Sequence, residues 1–138
     1  MKNTILLIDD DQVFLSATSA LLESKGYKVL KAVNGQEGFQ LAKDQSPDLI
    51  LLDLVMSYET EGAEMAKVLA ADAATRNIPI VLITSAKQEM GFPFELKPGQ
   101  KELPVKMIME KPVQPDRLLE MVERFSQKTG NDHRHFVA

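Results

Sequence analysis

Five short apolar segments, separated by stretches of helical periodicity, are the feature that most restricts how this chain can fold. They lie within residues 5–8, 27–33, 49–52, 78–83 and 105–109. The runs at 5–8 and 49–52 are continuously apolar, which is typical of strands covered on both faces in a parallel sheet packed between helices. Strands that alternate with helices in this way predict a doubly wound α/β fold.

The helical segments carry start and stop signals. Asp11 is a suitable N-cap for the first helix, and Gly26 is a suitable residue to end it. Pro115 fits the first turn of the last helix. Along the first helix, the residues expected near one apolar face are Val13, Phe14, Ala17, Leu21 and Leu22.

Composition limits the class of protein. The chain has 138 residues and a net charge of −4, with both signs interspersed, which argues against direct contact with nucleic acid. It has no cysteine, so disulfide and thiolate chemistry are excluded. No apolar run approaches the roughly 18 residues that a membrane span needs, and no signal peptide is visible. We therefore expect no membrane insertion and a cytoplasmic location.

Polar residues follow the apolar runs at the points where the strands should end. They are Asp9 and Asp10 after the first run, Asp53 after the third, Thr84 after the fourth and Lys111 after the fifth. Right-handed crossovers place the carboxyl ends of parallel strands along one edge, where open α/β sheets bind ligands. We therefore expect these five side chains to converge.

Such a group of side chains suits phosphoryl transfer. Carboxylates that converge favour a hard cation, Mg²⁺ or Mn²⁺, which also relieves their repulsion. A lysine and a threonine hydroxyl would hold two oxygens of a tetrahedral anion, and Asp53 would be the nucleophile that forms an acyl phosphate. Taken singly, Thr84 could be bonded to backbone, Lys111 a solvated charge and Asp9 a turn former. Their common position at strand ends favours the phosphoryl-transfer interpretation.

The segments at these strand ends resemble the receiver domain of two-component response regulators. The matching residues are 5–11, 51–54, 83–86 and 110–112, within a match over residues 4–126. The resemblance implies a flavodoxin-like (βα)5 fold with strand order 2-1-3-4-5. We expect a stand-alone receiver domain over residues 1–127 and a flexible C-terminal tail over residues 128–138.

The resemblance also implies a function. Asp53 would accept a phosphoryl group from a partner histidine kinase or phosphotransfer protein, and output would pass to an unknown downstream protein by contact. The chain would catalyse its own phosphorylation and dephosphorylation, without turnover of a conventional substrate. Asp10 would bind the metal directly, Asp9 through water and Val55 through its backbone carbonyl.

The remaining implied roles concern the other side of the site. Thr84 and Lys111 would bind the phosphoryl oxygens, and the bond between Lys111 and Pro112 would be a cis peptide, which is feasible before proline.

Three features depart from the family pattern. Ser57 stands where a proline is common, and Ile108 occupies the position of the aromatic switch residue. Residues 88–104 include Pro93 and Pro98, each costing about 3 kcal/mol inside a helix. We therefore expect the helix that receivers carry between their fourth and fifth strands to be shortened or replaced by a loop.

Three other functions account for part of the pattern. A phosphatase of the haloacid dehalogenase type would carry a second aspartate at the position of Val55. A protein-binding module that has lost phosphorylation predicts decay of the acidic group, which is intact in the sequence. A flavin carrier needs a phosphate-binding loop where the three aspartates at 9–11 would repel phosphate.

Overall fold

The structure is a computed structural model that describes residues 3–56, 60–84, 98–99 and 103–126. Within these residues the sheet contains five strands: β1 (Thr4–Ile8), β2 (Lys28–Ala32), β3 (Leu49–Asp53), β4 (Ile80–Thr84) and β5 (Met107–Glu110). All neighbouring strands are parallel, and their order is β2-β1-β3-β4-β5. The predicted fold and strand order are confirmed.

Four helices cover the sheet in the described part of the chain: α1 (Gln12–Ser24), α2 (Gly35–Gln45), α3 (Glu61–Ala71) and α4 (Pro115–Ser126). Asp11 caps α1 as predicted, because its carboxylate accepts hydrogen bonds from the backbone N–H of Val13 (3.0 Å) and Phe14 (3.2 Å). Gly26 follows the end of α1 with a φ of 93°, a conformation that glycine adopts without steric cost.

The sheet separates two apolar layers. On the side of α2 and α3, Leu6 and Ile8 of β1 are buried, whereas Ile5 and Leu7 are buried on the side of α1 and α4. Alternate residues of the strand therefore point to opposite faces, as the period of two in a strand requires. The strands β3 and β4 are buried along their whole length. The residues at the carboxyl ends of these strands are therefore attached to a rigid part of the fold.

The helix α1 packs with a different face from the one predicted. Val13 is 78% exposed and Ala17 is also exposed, so the expectation that they face the core is wrong. The residues of α1 that are buried are Leu15, Thr18, Ser19 and Leu22. They follow the i, i+3, i+4, i+7 spacing of a helix face. Two of them carry hydroxyl groups, so a pattern based on apolar residues does not detect the stripe.

Two expectations fall largely outside the described residues. Of the segment at 88–104, the structure describes residues 98–99 and 103–104; Pro98 and Gly99 form a turn, and Gly99 has a φ of 82°. The expected loop over the remainder, and the tail at 128–138, lie outside the described residues. In the part of the chain that is described, no helix is both long and apolar enough to cross a membrane.

Candidate functional site

The side chains predicted to converge lie at the carboxyl edge of the sheet. Asp9 follows β1, Asp53 ends β3, Thr84 ends β4 and Lys111 follows β5. Backbone hydrogen bonds continue past the strand ends: the N–H of Asp9 donates to the carbonyl of Ala32 (3.0 Å), and the N–H of Lys111 donates to the carbonyl of Thr84 (2.6 Å). The sheet therefore fixes the backbone from which these side chains project.

Three carboxylates form an acidic cluster at this edge. Asp9, Asp10 and Asp53 each offer an oxygen that lies within 4.8 Å of the corresponding oxygens of the other two. Asp9 is 2% exposed and Asp53 is 3% exposed, whereas Asp10 is open to solvent. The cluster is thus buried on one side and accessible from the other.

The ammonium of Lys111 lies beside the acidic cluster. Its Nζ is 3.0 Å from Oδ2 of Asp9 and 3.9 Å from Oδ2 of Asp53. The Lys111 side chain is 23% exposed, so the pair with the buried Asp9 is shielded from water on one side only. The single ammonium of Lys111 offsets only part of the negative charge of the three carboxylates. Among the described residues at this edge, no second ammonium or guanidinium offsets the rest.

The Asp53 carboxylate is affected by its burial. Its Oδ1 is buried and has no hydrogen-bond partner among the described residues. Burial raises the pKa of Asp53 from 3.8 to about 7; the charge of Asp9 adds to the rise, and the ammonium of Lys111 opposes it. A buried carboxylate oxygen without a partner is costly, so this atom is suited to bind an added group.

The cluster fits a hard divalent cation. Oxygen is the ligand atom that Mg²⁺ and Mn²⁺ prefer, and the three carboxylates can direct oxygens to one point. Asp9 and Asp53 would hold such a cation from the buried side, and Asp10 would hold it from the exposed side. The donor set therefore agrees with the metal expected from the sequence.

The other predicted residues take their expected places along the edge. Thr84 is buried at the end of β4, the strand next to β3. Val55 is half-buried two residues after Asp53, and its role as a carbonyl ligand stays a prediction. The peptide bond between Lys111 and Pro112 is cis, as the resemblance implied.

The residues that follow β3 contain a close contact that sequence reasoning did not find. The N–H of Gly62 donates to the carbonyl of Leu54 (2.9 Å), which brings the first turn of α3 against the backbone after Asp53. In the same turn, the buried Glu61 accepts a hydrogen bond from the N–H of Gly35 (2.7 Å) at the start of α2. The structure places Gly62 in the first turn of α3, where glycine is unfavourable without a packing reason, and this glycine is the signal that the sequence carries.

We expect Gly62→Ala to destabilise the protein by about 3 kcal/mol. A Cβ at this position would meet the carbonyl oxygen of Asp53 and would lie 2.6 Å from Cα of Leu54, and neither backbone atom can move without shifting β3. Urea denaturation measures the loss. The matched control is Gly35→Ala, whose added Cβ meets the ends of two side chains, Met65 at 2.9 Å and Glu61 at 3.1 Å, and no backbone atom. Equal losses in the two variants would refute the explanation.

Comparison of the sequence with known proteins identifies relatives of this chain. The family model of the response regulator receiver domain matches residues 5–123. Protein PilH of Pseudomonas aeruginosa is 33% identical to this chain over 118 residues, which cover 86% of this chain and 93% of PilH. The polar-differentiation response regulator DivK of Brucella anthropi is 27% identical over 125 residues, covering 91% of this chain and 97% of DivK.

Solved structures share the fold. The chemotaxis response regulator CheY4 of Vibrio cholerae superposes with a TM-score of 0.75 at 24% identity, covering 91% of this chain and 99% of that one. The receiver domain of the sensor histidine kinase PA1611 of Pseudomonas aeruginosa superposes with a TM-score of 0.76 at 22% identity, covering 93% of this chain and 100% of that domain. That domain was solved with a magnesium ion coordinated in its active site cleft.

Proposed function

The chain belongs to the response regulator receiver domain family, and from this premise we propose that it accepts a phosphoryl group on Asp53 in a two-component phosphorelay. The donor is a phosphohistidine of a histidine kinase or a phosphotransfer protein. The output passes to a downstream protein through contact, and a cytoplasmic location belongs to the same proposal.

The transfer step follows from the chemistry of a carboxylate nucleophile. An oxygen of Asp53 attacks the phosphorus of the donor, and the new P–O bond forms as the P–N bond of the phosphohistidine breaks. The electron pair of the broken bond leaves with the imidazole, and the product is an acyl phosphate. The Lys111 ammonium, 3.9 Å from Oδ2 of Asp53, is near enough to offset charge on the phosphoryl oxygens. Thr84, at the end of the neighbouring strand, is the proposed donor to a second phosphoryl oxygen.

Asp9, Asp10 and Asp53 would hold Mg²⁺ or Mn²⁺, with the backbone carbonyl of Val55 as a further ligand. The bound cation would neutralise charge on the carboxylates and on the transferring phosphoryl group. The magnesium ion in the PA1611 receiver domain supports this part of the proposal by analogy. Asp9 and Asp53 are buried and Asp10 is exposed, so Asp10 would hold the cation on the side that is open to solvent.

The observation that carries the proposal is the buried Asp53 carboxylate, whose Oδ1 is unpartnered among the described residues, beside two further aspartates and a lysine. Borohydride reduction tests it, because borohydride converts an aspartyl phosphate to homoserine. After incubation with acetyl phosphate and Mg²⁺, peptide mass mapping should find homoserine at position 53, and the conversion should be lost when EDTA is added. Phosphoryl transfer would be disproved by the absence of homoserine, and a binding module without phosphorylation would then be the better account.

We expect Asp10→Ala to weaken Mg²⁺ binding by about tenfold or more, because one of few carboxylate ligands is removed. Titration calorimetry measures the affinity. Asp11→Ala is the matched control: it removes the same charge one residue away, from a carboxylate that caps α1. If both variants bind Mg²⁺ with the same affinity, Asp10 is not a ligand.

A further inference from the structure

The aromatic ring of Phe14 lies against the ammonium of Lys111. The Nζ of Lys111 is 4.5 Å from the centroid of the ring, within the distance of about 6 Å at which a cation is attracted to an aromatic face. The same ammonium is 3.0 Å from Asp9 and 3.9 Å from Asp53. It therefore has carboxylates and an aromatic face as neighbours at once.

The ring attracts the ammonium without accepting a conventional hydrogen bond. A lysine ammonium is a compact charge on a flexible stem, and it has three N–H donors. A third carboxylate in the place of the ring would take up another of these donors. An aromatic face instead opposes escape of the charge into water and leaves donors free for incoming oxygens. This property matters because Lys111 is 23% exposed and has solvent beside it.

The structure also holds the ring in place. Phe14 is in the first turn of α1, where its N–H donates to the capping carboxylate of Asp11 (3.2 Å). Its half-buried side chain packs against the apolar layer between the sheet and the helices α1 and α4. The position of the ring is thus set by the helix cap and by the core.

We propose that Phe14 is a positioning residue that holds the Lys111 ammonium beside Asp53, ready for the phosphoryl oxygens. This inference rests on the proposed function, in which Lys111 binds those oxygens. According to this inference, a residue in the first turn of α1 affects the rate of phosphorylation, although Phe14 itself touches no reacting atom.

The test compares Phe14→Leu, which keeps an apolar side chain but removes the aromatic face, with Phe14→Tyr, which retains it. Acetyl phosphate serves as the donor, so that effects on a protein partner do not enter. We expect Phe14→Leu to slow phosphorylation by about three- to tenfold and Phe14→Tyr to restore most of the parent rate. In proton NMR, the ε-methylene signals of Lys111 should lose their upfield ring-current shift in Phe14→Leu and keep it in Phe14→Tyr.

A double-mutant cycle separates positioning from a structural effect. In a Lys111→Met background, Phe14→Leu should slow the residual rate no further. The matched control is Phe39→Leu, because Phe39 also faces an ammonium, that of Lys43 at 5.3 Å, but lies on α2. The Phe39→Leu variant should be phosphorylated at the parent rate.

Three results would overturn the inference. If Phe14→Leu matches the parent while Lys111→Met is slow, Phe14 does not position the lysine and the proposed function stands. If Phe14→Leu slows both backgrounds equally, its effect is structural. If Lys111→Met itself reacts at the parent rate, the proposed role of Lys111 fails, and the inference fails with it.

Discussion

At pH 8, without divalent cations, the Asp53→Asn variant should be more stable than the parent by on the order of 4 kcal/mol. Asp53 is 3% exposed, and burial and the charge of Asp9 raise its pKa from 3.8 to about 7. The folded parent must therefore keep a charge where a charge is unfavourable. Asparagine has nearly the same shape and carries no charge, so the substitution removes this cost.

The gain should depend on pH in a defined window. The raised pKa means that the folded parent binds a proton more tightly than the unfolded chain does. Below pH 3.8 both states are protonated at Asp53, and the cost is absent. As the pH rises from 3.8 to about 7, the parent loses stability relative to the variant. Above about pH 7 the difference between their free energies of unfolding is constant.

Urea denaturation of both proteins between pH 4 and pH 8 measures this difference, and EDTA keeps divalent cations away. Saturating Mg²⁺ provides the control, because a bound cation favours the ionised carboxylate and should narrow the difference at pH 8. A variant that is less stable than the parent at pH 8, or a difference that does not grow between pH 4 and pH 7, would contradict the raised pKa.

The sheet and the positions of the chemical groups were predictable because both follow from the order of residues along the chain. Short apolar runs separated by helices require a parallel sheet, and a parallel sheet brings its strand ends to one edge. Asp9 and Lys111 illustrate this, because they are 102 residues apart in the chain and 3.0 Å apart in the structure. The cap at Asp11 was predictable for a similar reason, since capping depends on neighbouring residues.

The details that depend on tertiary packing were not predictable. The buried face of α1 includes Thr18 and Ser19, while the apolar Val13 faces solvent, because the position of the helix on the sheet decides which stripe is covered. The raised pKa of Asp53 depends on burial and on a neighbouring charge. The contact between Phe14 and Lys111 likewise depends on how α1 packs on the sheet.

A second large effect is expected on phosphorylation. Replacement of Asp53 by asparagine should abolish phosphorylation by acetyl phosphate, because an amide is a poor nucleophile and the remaining aspartates are held in other roles. Asp9 is paired with Lys111 at 3.0 Å, and its other oxygen accepts the N–H of Asp11 at 2.9 Å. Asp10 would be occupied as a ligand of the cation in the proposed site.

Asp48→Asn is the matched control for this loss. Asp48 lies just before β3, and its Oδ2 accepts a hydrogen bond from the N–H of Thr4 (2.8 Å), a bond that an asparagine oxygen can also accept. The substitution makes the same chemical change at the opposite end of the strand, so it should leave phosphorylation intact.

The most direct test of the central claim is the intact mass of the parent, Asp53→Asn and Asp48→Asn proteins after incubation with acetyl phosphate and Mg²⁺. The account predicts one added phosphoryl group on the parent and on Asp48→Asn, and none on Asp53→Asn. The same adduct on Asp53→Asn, or no adduct on the parent, would contradict it.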